Sequence, residues 1–424
     1  MSYTILDYLN EDCWRAVLQY VPLRDIMRTE SASKRWQTVM LTYLQGARIS
    51  ILNYDDIDDD MLYDKNLPYN CNVKLVRSGK YCSFNSWTKK LGSSVVAAYS
   101  YYPECFKILQ ENCSNLETLY IYRTLNDYDY EVRPYNLQKN FKRLQNLCID
   151  SCHASDNCVS QLIAGRALTE INFNGCFLMT GECLSTINTT KLKSLVFKCC
   201  PDVQSRSLLP HLVRLSQLTK LKVSLIDKEV CRDLRLVLDK MPNLEWLEIM
   251  CTGEPWNNYY TNETLLCRLT RLKHLCVDFN LEDYDVDDVT RCCKELRSLK
   301  LSQCGILTED SVEAICRNAG ARLTTLSLLQ FYKLEDDQLL ALIRGCPQLT
   351  SLAVGTLALT LDVIKRAAEA RHKVRPGLLL ELDLAATNLP EDLEYYENIV
   401  DIEGQIETKY EDLIVLLDDS DRNF

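Results

Sequence analysis

A single spacing of apolar residues recurs along most of this 424-residue chain and limits the folds that it can adopt. The pattern is L-x-x-L-x-L-x-x-C, and its last position is cysteine in the clearest copies. Four copies show the whole pattern and begin at Leu144, Leu168, Leu192 and Leu296. Seven others keep the apolar positions but vary the cysteine, and they begin at Leu116, Leu218, Leu244, Leu272, Leu323, Leu349 and Leu379. Ten steps separate the first copy from the last, so the mean period is about 26 residues.

Each copy predicts one strand followed by one helix. The segment L-x-L has the two-residue period of a strand, whose alternate side chains point to opposite faces. A helical stretch follows, as at 310–316, where Val312, Ile315 and Cys316 share one helix face. One such unit cannot bury its own apolar face, so neighbouring units must stack. The sequence therefore predicts an α/β repeat solenoid, a horseshoe with parallel strands on its concave face and helices on its convex face.

The period, the cysteine after each strand and phrases such as CPQLTSLAV at 346–354 resemble the cysteine-containing subfamily of leucine-rich repeats. The resemblance covers residues 116–387 and implies the same solenoid. We expect the cysteine thiol to fill the turn and to donate a weak hydrogen bond. Cys148, Cys152, His153 and Cys158 lie close in sequence, but their spacing matches no closed zinc pattern, so we expect no metal and no cofactor.

The first 46 residues lack the repeat and favour short helices. Glu11 and Asp12 suit the N-terminus of a helix, and Pro22 separates two helical stretches. About 40 residues can bury only a small core, so we expect this segment to need a partner. From the residues alone, it could equally be a helical cap that protects the first repeat.

The same segment resembles an F-box in LNED at 9–12, VLQYVPLRDI at 17–26 and SKRW at 33–36, without a gap. Asn10 replaces the proline of the family pattern, and Ser33 replaces its cysteine. The resemblance implies binding to a Skp-type adaptor and, through it, to a cullin and a RING protein. The matched positions that would face or brace the adaptor are Leu9, Asn10, Val17, Leu18, Pro22, Leu23, Ile26 and Trp36.

These patterns divide the chain into four segments. We expect an F-box at 1–46, degenerate early repeats at 47–115, the leucine-rich-repeat solenoid at 116–388 and an acidic tail or cap at 389–424. Within the early repeats, residues 92–97 resemble a weak copy of the repeat, and ARISIL at 47–52 is expected to be a capping strand.

A target protein would contact the inner face, to which the strand residues between the core positions point. The candidates for target binding are Tyr120, Tyr122, Asn172, Asn174, Lys198, Lys222, Glu248, Asp278 and Lys300, with Trp256 and Tyr259 from a loop insertion. This mixture of aromatic, polar and oppositely charged residues suits a protein ligand. The two loop aromatics could instead pack against the adjacent rim.

The net charge of −11 is concentrated at the C-terminus. Residues 388–424 contain 12 Asp and Glu against 2 Lys and Arg, a net of −10, which leaves about −1 for the rest. A nearly neutral body with no run of basic residues argues against a nucleic-acid partner.

The run DLIVLLDD at 412–419 resembles a SUMO-interacting motif, and its alternative is a strand that completes the last repeat.

Together these features predict the substrate-recognition subunit of an SCF-type cullin–RING ubiquitin ligase, with a target protein that the sequence does not identify. The alternative is a leucine-rich-repeat scaffold without a ligase role.

We expect no catalytic activity, because the four histidines match no nucleophile–base pattern and no glycine-rich phosphate loop occurs. No apolar run is long enough to span a membrane, and the first residues do not resemble a signal peptide, so we expect a cytoplasmic or nuclear location.

Overall fold

The computed structural model describes most of the repeat region and parts of both ends. The described residues are 9–21, 25–26, 29, 32–46, 48–53, 73–78, 85, 88–100, 104–122, 141–150, 155–225, 233–251, 265–278, 281–302, 304–331, 333–355, 359, 361–384, 405–406 and 413–416. The chain forms two compact units. Unit 1 contains residues 1–192 and 200–202, and unit 2 contains residues 193–199 and 203–424.

Unit 1 begins with two helices and continues with parallel strands. Its helices are α1 (Glu11–Leu18), α2 (Lys34–Gly46), α3 (Glu104–Asn112) and α4 (Asp156–Ile163). Its strands are β1 (Arg48–Asn53), β2 (Val73–Ser78), β3 (Val95–Ser100), β4 (Thr118–Tyr122), β5 (Asn146–Asp150) and β6 (Glu170–Asn174). They pair in parallel in the order β2-β1-β3-β4-β5-β6.

The expected capping strand at 47–52 does not lie at the edge of this sheet. That segment forms β1, but β1 lies between β2 and β3, and the edge strand is β2. The sequence VKLVRS of β2 shows alternation without the leucine spacing of the repeat. The repeat pattern therefore did not reveal it, and the expected capping strand is an internal one.

Unit 2 contains the more regular repeats. Its helices are α5 (Ser205–Leu212), α6 (Asp283–Cys292), α7 (Glu309–Asn318), α8 (Asp336–Gly345) and α9 (Leu361–Val374). Its strands are β7 (Ser194–Lys198), β8 (Lys220–Leu225), β9 (Trp246–Cys251), β10 (His274–Val277), β11 (Ser298–Leu301), β12 (Thr325–Leu328), β13 (Ser351–Val354), β14 (Leu380–Asp383), β15 (Gln405–Ile406) and β16 (Leu413–Leu416). In two repeats the 3-10 helices Arg235–Lys240 and Leu265–Arg268 replace the α-helix.

The strand register places equivalent apolar residues side by side. In unit 2 they form a buried row through Leu195, Leu221, Leu247, Leu275, Leu299, Leu326, Leu352 and Leu382. In unit 1 the equivalent row is Leu119, Leu147 and Ile171. Each buried leucine contributes about 2 kcal/mol of transfer free energy, so the rows are the core that stacking creates. This confirms an α/β leucine-rich-repeat architecture.

Helix α7 shows how one repeat supports the next. Thr308 caps its N-terminus by accepting a hydrogen bond from the backbone N–H of Asp310, at 3.3 Å. Val312 and Ile315 are buried on the same helix face, as the spacing predicts, and Cys316 is half-buried. The helix therefore contributes its apolar stripe to the shared core.

The cysteines that follow the strands fill the turns. The thiol of Cys176 lies 3.5 Å from the carbonyl oxygen of Ile149, and that of Cys304 lies 3.4 Å from the carbonyl oxygen of Leu301. Both cysteines are fully buried. The predicted packing role is confirmed for these two, whereas Cys152 lies outside the described residues.

The last copy of the repeat departs from the pattern at its first position. Leu379 is 45% exposed, although the spacing predicts burial, and Leu380 is buried instead. The cause lies in the turn before β14, where Gly377 has a φ of +78°. The carbonyl oxygen of Leu378 accepts hydrogen bonds from the buried guanidinium of Arg371, which holds this turn and leaves Leu379 facing outward.

The acidic C-terminal segment adds two strands to unit 2. β16 pairs in parallel with β14, and β15 pairs in antiparallel fashion with β16. The apolar run at 413–416 thus continues the sheet past the last repeat, as the completing-strand alternative predicts. Both edges of β16 are occupied, so its position does not favour the SUMO contact, which needs a free strand edge.

Candidate functional site

One dense cluster of aromatic and charged side chains lies in unit 2, on the side of the strands opposite the buried leucines. The register of β8, β9 and β10 places Lys220 beside Trp246, and Trp246 beside His274. A second row, two residues further along β8 to β11, contains Lys222, Glu248, Cys276 and Lys300. We call these seven residues the Trp246 cluster. All four residues of β10 are buried, so this strand is covered on both faces.

The indole ring of Trp246 stands between two neighbours. Its ring stacks on the imidazole of His274 with centroids 3.7 Å apart and planes 17° from parallel. The ammonium of Lys220 lies 5.3 Å from the indole centroid, which is within the range of a cation–π contact. Trp246 nevertheless remains 38% exposed. A large aromatic surface is therefore held in one orientation and is still open to a partner.

The carboxylate of Glu248 connects the two rows. Trp246 Nε1 donates a hydrogen bond to Glu248 Oε1 at 2.7 Å, and Lys222 Nζ lies 2.5 Å from Glu248 Oε2. Burial acts to raise the pKa of Glu248, but the hydrogen bond and the charge of Lys222 outweigh it, so the pKa lies below its ordinary value. The carboxylate stays ionised at neutral pH and is already occupied by groups of this chain.

The electrostatics of the cluster favour positive charge at its borders. Burial lowers the pKa of His274 to about 4, despite the opposing effect of Glu248. At neutral pH the imidazole is uncharged, and the 3.6 Å approach of its Nε2 to Glu248 is not an ion pair. Glu248 neutralises Lys222, whereas within the described ranges neither Lys220 nor Lys300 forms an ion pair with a carboxylate.

His274 should make the stability of the fold depend on pH. Its pKa is near 4 in the folded chain and near 6.5 when unfolded, so the unfolded chain binds the proton first as the pH falls. The contribution is fully present above pH 6.5 and is lost as the pH falls towards 4. Between pH 7.5 and 5 we expect a loss of about 2 kcal/mol from this group.

Chemical denaturation of the wild-type chain and of His274→Gln at the two pH values measures this loss. The variant should lose correspondingly less stability than the wild type between them. His372→Gln, at an exposed histidine of the same unit, should behave as the wild type does. Equal pH dependence in wild type and His274→Gln would contradict the prediction.

The corresponding surface of unit 1 is built around tyrosine. The rings of Tyr99 and Tyr120 lie 5.7 Å apart, and the hydroxyl of Tyr120 donates to Asp150 Oδ2 at 3.1 Å. Burial, together with nearby acidic groups, raises the pKa of Tyr120 well above its ordinary value. Asn172 and Asn174 are half-buried on β6. This surface is polar, and the amide oxygen of Asn172 is buried without a hydrogen-bond partner among the described residues.

The remaining sequence-predicted contacts are not members of the Trp246 cluster. Lys198 is exposed on β7, and Asp278 is buried directly after β10, close to Cys276. The side chain of Tyr122 lies outside the described residues, as do Trp256 and Tyr259.

The structure brings together three predicted residues, Lys222, Glu248 and Lys300, and adds four that the sequence did not predict: Lys220, Trp246, His274 and Cys276. The first three of these precede the first core leucine of their strands, whereas the predicted residues follow it. The two-residue period extended one step towards the N-terminus would have found all three. No local pattern reveals that the indole and the imidazole stack, because they lie 28 residues apart on neighbouring strands.

At the N-terminus, α1 and α2 pack against each other through two tryptophans. The rings of Trp14 and Trp36 meet edge to face at 5.4 Å, and Trp36 Nε1 donates to Thr29 Oγ1 at 2.8 Å. Asn10 Oδ1 accepts a hydrogen bond from the backbone N–H of Cys13 at 2.9 Å. Asn10, at the position of the family's proline, therefore caps α1.

The adaptor positions implied by the F-box resemblance divide into buried and exposed groups. Leu18 and Ile26 are almost fully buried and support the helix pair. Val17 is 47% exposed, and the neighbouring Tyr20 is 83% exposed. Leu9 and Trp36 are half-buried, while Pro22 and Leu23 lie outside the described residues. The helix pair thus presents an apolar patch around Val17 and Tyr20.

No protein-family model and no curated protein matches the chain. Solved structures do match it along most of its length. An internalin, InlF of Listeria monocytogenes str. 4b F2365, is 16% identical, with a TM-score of 0.43, and the match covers 90% of this chain and 89% of that one. A chain of the yeast Rad7–Elc1 complex is 13% identical, with a TM-score of 0.38 and coverages of 88% and 95%. A leucine-rich-repeat protein of Leptospira interrogans, LIC12759, is 14% identical, with a TM-score of 0.34 and coverages of 84% and 88%.

These likenesses concern the fold alone. The architecture follows independently from the repeat spacing and from the parallel register of the strands. Among the helices that the structure describes, none combines the length and the apolar character needed to cross a bilayer.

Proposed function

We propose that this chain is a non-catalytic substrate-recognition subunit of an SCF-type ubiquitin ligase. In this proposal α1 and α2 bind a Skp-type adaptor, and the strand surface binds a target protein. The observation that carries it is the combination of two features in one chain. An F-box-like sequence forms a small helix pair with an exposed apolar patch, and a leucine-rich-repeat sheet carries an exposed aromatic and charged cluster.

The exposure of Val17 and Tyr20 supports adaptor binding. Apolar side chains on such a small helix pair gain little by facing water, and they gain free energy when a partner covers them. Leu18 lies beside them in sequence but points into the core of the pair. Substitution of Leu18 would therefore report on folding, whereas substitution of Val17 reports on contact with a partner.

Val17→Asp should lower the capture of a Skp-type adaptor by at least tenfold, because a buried, unpaired carboxylate at an interface costs several kcal/mol. Co-purification of the two full-length proteins measures the effect. Val213→Asp, at an exposed valine of unit 2, is the matched control and should capture adaptor normally. If the Val17 variant retains its helical circular dichroism and still captures adaptor as the wild type does, the adaptor role is wrong.

The alternative is a scaffold that binds partners without directing them to degradation. It shares the strand surface but gives the helix pair only a capping role. The two differ in cells, because removal of residues 1–46 should raise the level of a bound target under the ligase proposal. Under the scaffold alternative that level should not change.

A further inference from the structure

We propose that the Trp246 cluster binds an extended acidic peptide segment, with two carboxylates about five residues apart and an apolar residue between them. The inference rests on the proposed target-binding role of this surface and names the chemical class of the segment that it binds. Four observations of unit 2 support it: two lysines without carboxylate partners, an oriented exposed indole, a central carboxylate that is already neutralised, and the spacing of the lysines.

The charge of the surface selects an acidic partner. Among the described residues, Lys220 and Lys300 have no carboxylate partner. Glu248 would repel an acidic ligand if it were free, but Lys222 pairs with it at 2.5 Å. The neutral form of His274 adds no charge of either sign. The surface that remains is positive at Lys220 and Lys300 and neutral at Glu248, while the carboxyl group of Asp278 is buried beyond Cys276.

The aromatic centre provides the apolar contact. Trp246 is held by its stack on the imidazole of His274, by the cation–π contact with Lys220 and by its hydrogen bond to Glu248. Its exposed ring needs no ordering when a ligand arrives, so little conformational entropy is lost. A leucine or a similar side chain of the ligand would cover this ring and exclude water from the adjacent ion pairs.

The distance between Lys220 and Lys300 determines how far apart the two carboxylates of the ligand should be. Lys220 is on β8 and Lys300 is on β11, three strands away and two residues further along its strand. With about 4.8 Å between strands and about 3.3 Å per residue along them, the two Cα atoms are about 16 Å apart. An extended peptide covers this distance in about five residues. Carboxylates at positions i and i+5 therefore match the separation of the two lysine Cα atoms best.

A peptide array tests the proposal with the purified full-length chain. The probes are synthetic ten-residue peptides of serine and glycine with one central leucine and two glutamates separated by two to seven positions. We expect the strongest binding at a separation of four to six. Replacement of both glutamates by glutamine should lower binding by at least tenfold. Equal binding at every separation, or no preference for glutamate over glutamine, overturns the proposal.

Charge-reversal variants assign the binding to the cluster. Lys220→Glu combined with Lys300→Glu should lower the affinity for the best peptide by at least tenfold. Lys294→Glu combined with Lys365→Glu changes the net charge equally at exposed positions of unit 2 and should leave the affinity unchanged. Trp246→Ala should weaken binding while leaving the preference for glutamate. Equal losses in both double variants would show a nonspecific charge effect and overturn the proposal.

Two other occupants are separate outcomes of the same measurements. Binding of a uridine decanucleotide with the same dependence on Lys220 and Lys300 would show a phosphate-binding surface and overturn the peptide assignment. A variant with the acidic residues of 388–424 changed to amides tests occupancy by the chain's own terminal segment. If only that variant binds the peptides, the surface is filled in cis and the proposal is wrong. Adaptor capture through Val17 is independent of all these results, so it tests the ligase proposal separately.

Discussion

Replacement of Arg371 by leucine is expected to destabilise unit 2 by about 3 to 5 kcal/mol, because buried carbonyl groups would lose their donors. Arg371 lies on α9, and its side chain is fully buried. Its guanidinium donates to the carbonyl oxygens of Pro347 at 3.1 Å, Leu349 at 2.7 Å and Leu378 at 3.0 Å. Leucine fills part of the space but donates nothing to these oxygens.

The effect of this substitution should be concentrated at the C-terminal end of unit 2. Hydrogen exchange should increase most in β13 and β14, whose turns hold the three carbonyls, and chemical denaturation should give the total loss. Arg375→Leu, at an exposed arginine one turn later on the chain, is the matched control and should change stability by less than about 0.5 kcal/mol. Equal losses in the two variants would show that the buried hydrogen bonds do not matter.

Arginines that are buried or half-buried recur as links between repeats. In unit 1, Arg166 donates to the carbonyl oxygen of Phe141. In unit 2, Arg322 donates to the carbonyl oxygens of Thr290 at 2.6 Å and Cys293 at 3.2 Å. Both arginines lie shortly before a strand and donate to carbonyl groups of the preceding repeat. The arginines do not keep a constant position relative to the leucines, so the repeat pattern could not reveal them.

Features that depend on neighbouring residues could be predicted from the sequence, whereas features that depend on contacts between repeats could not. The strands could be predicted because the spacing from Leu296 to Leu301 determines which faces are buried within a few residues. The helices follow the repeat less closely, because Arg235–Lys240 forms a 3-10 helix where the period predicts an α-helix. The exposure of Leu379 depends on a turn held by Arg371, which lies eight positions earlier and contacts a different repeat.

The candidate site could be predicted only in part for the same reason. Sequence reasoning identified Lys222, Glu248 and Lys300 because each follows a core leucine by one position. The contacts that make them a site are made across strands, between residues 26 to 28 positions apart in sequence. The stacking of Trp246 on His274 depends on this register, and the register is set by the leucine rows rather than by either aromatic residue.

Asp156→Ala is expected to destabilise unit 1 by about 3 kcal/mol, because one carboxylate satisfies four donors of the following repeat. Asp156 is the first residue of α4. Its Oδ2 accepts hydrogen bonds from the backbone N–H of Thr180 at 2.7 Å and from the Thr180 hydroxyl at 2.9 Å. Its Oδ1 accepts hydrogen bonds from the backbone N–H groups of Gly181 at 3.2 Å and Cys183 at 2.8 Å. The equivalent Asp283 of unit 2 accepts hydrogen bonds from Thr308 and Ser311.

The Asp156→Ala substitution distinguishes the hydrogen bonds to residues 180–183 from the electrostatic effect of an acidic residue at the start of α4. Loss of a favourable charge in the first turn of α4 costs about 0.3 to 1 kcal/mol. The remainder of the expected loss must come from the unsatisfied donors at 180–183. Asp156→Asn should recover part of the stability, because the amide oxygen still accepts hydrogen bonds. Asp202→Ala, at an exposed carboxylate of unit 1, should be nearly neutral.

Denaturation midpoints and hydrogen exchange of 180–187 decide the result. A loss below about 1 kcal/mol for Asp156→Ala would leave only the charge effect on α4 and would remove the link between repeats. A full loss supports a general rule for this chain. An aspartate that begins a repeat helix binds the threonine turn 24 or 25 residues later, and it thereby ties that helix to the following repeat.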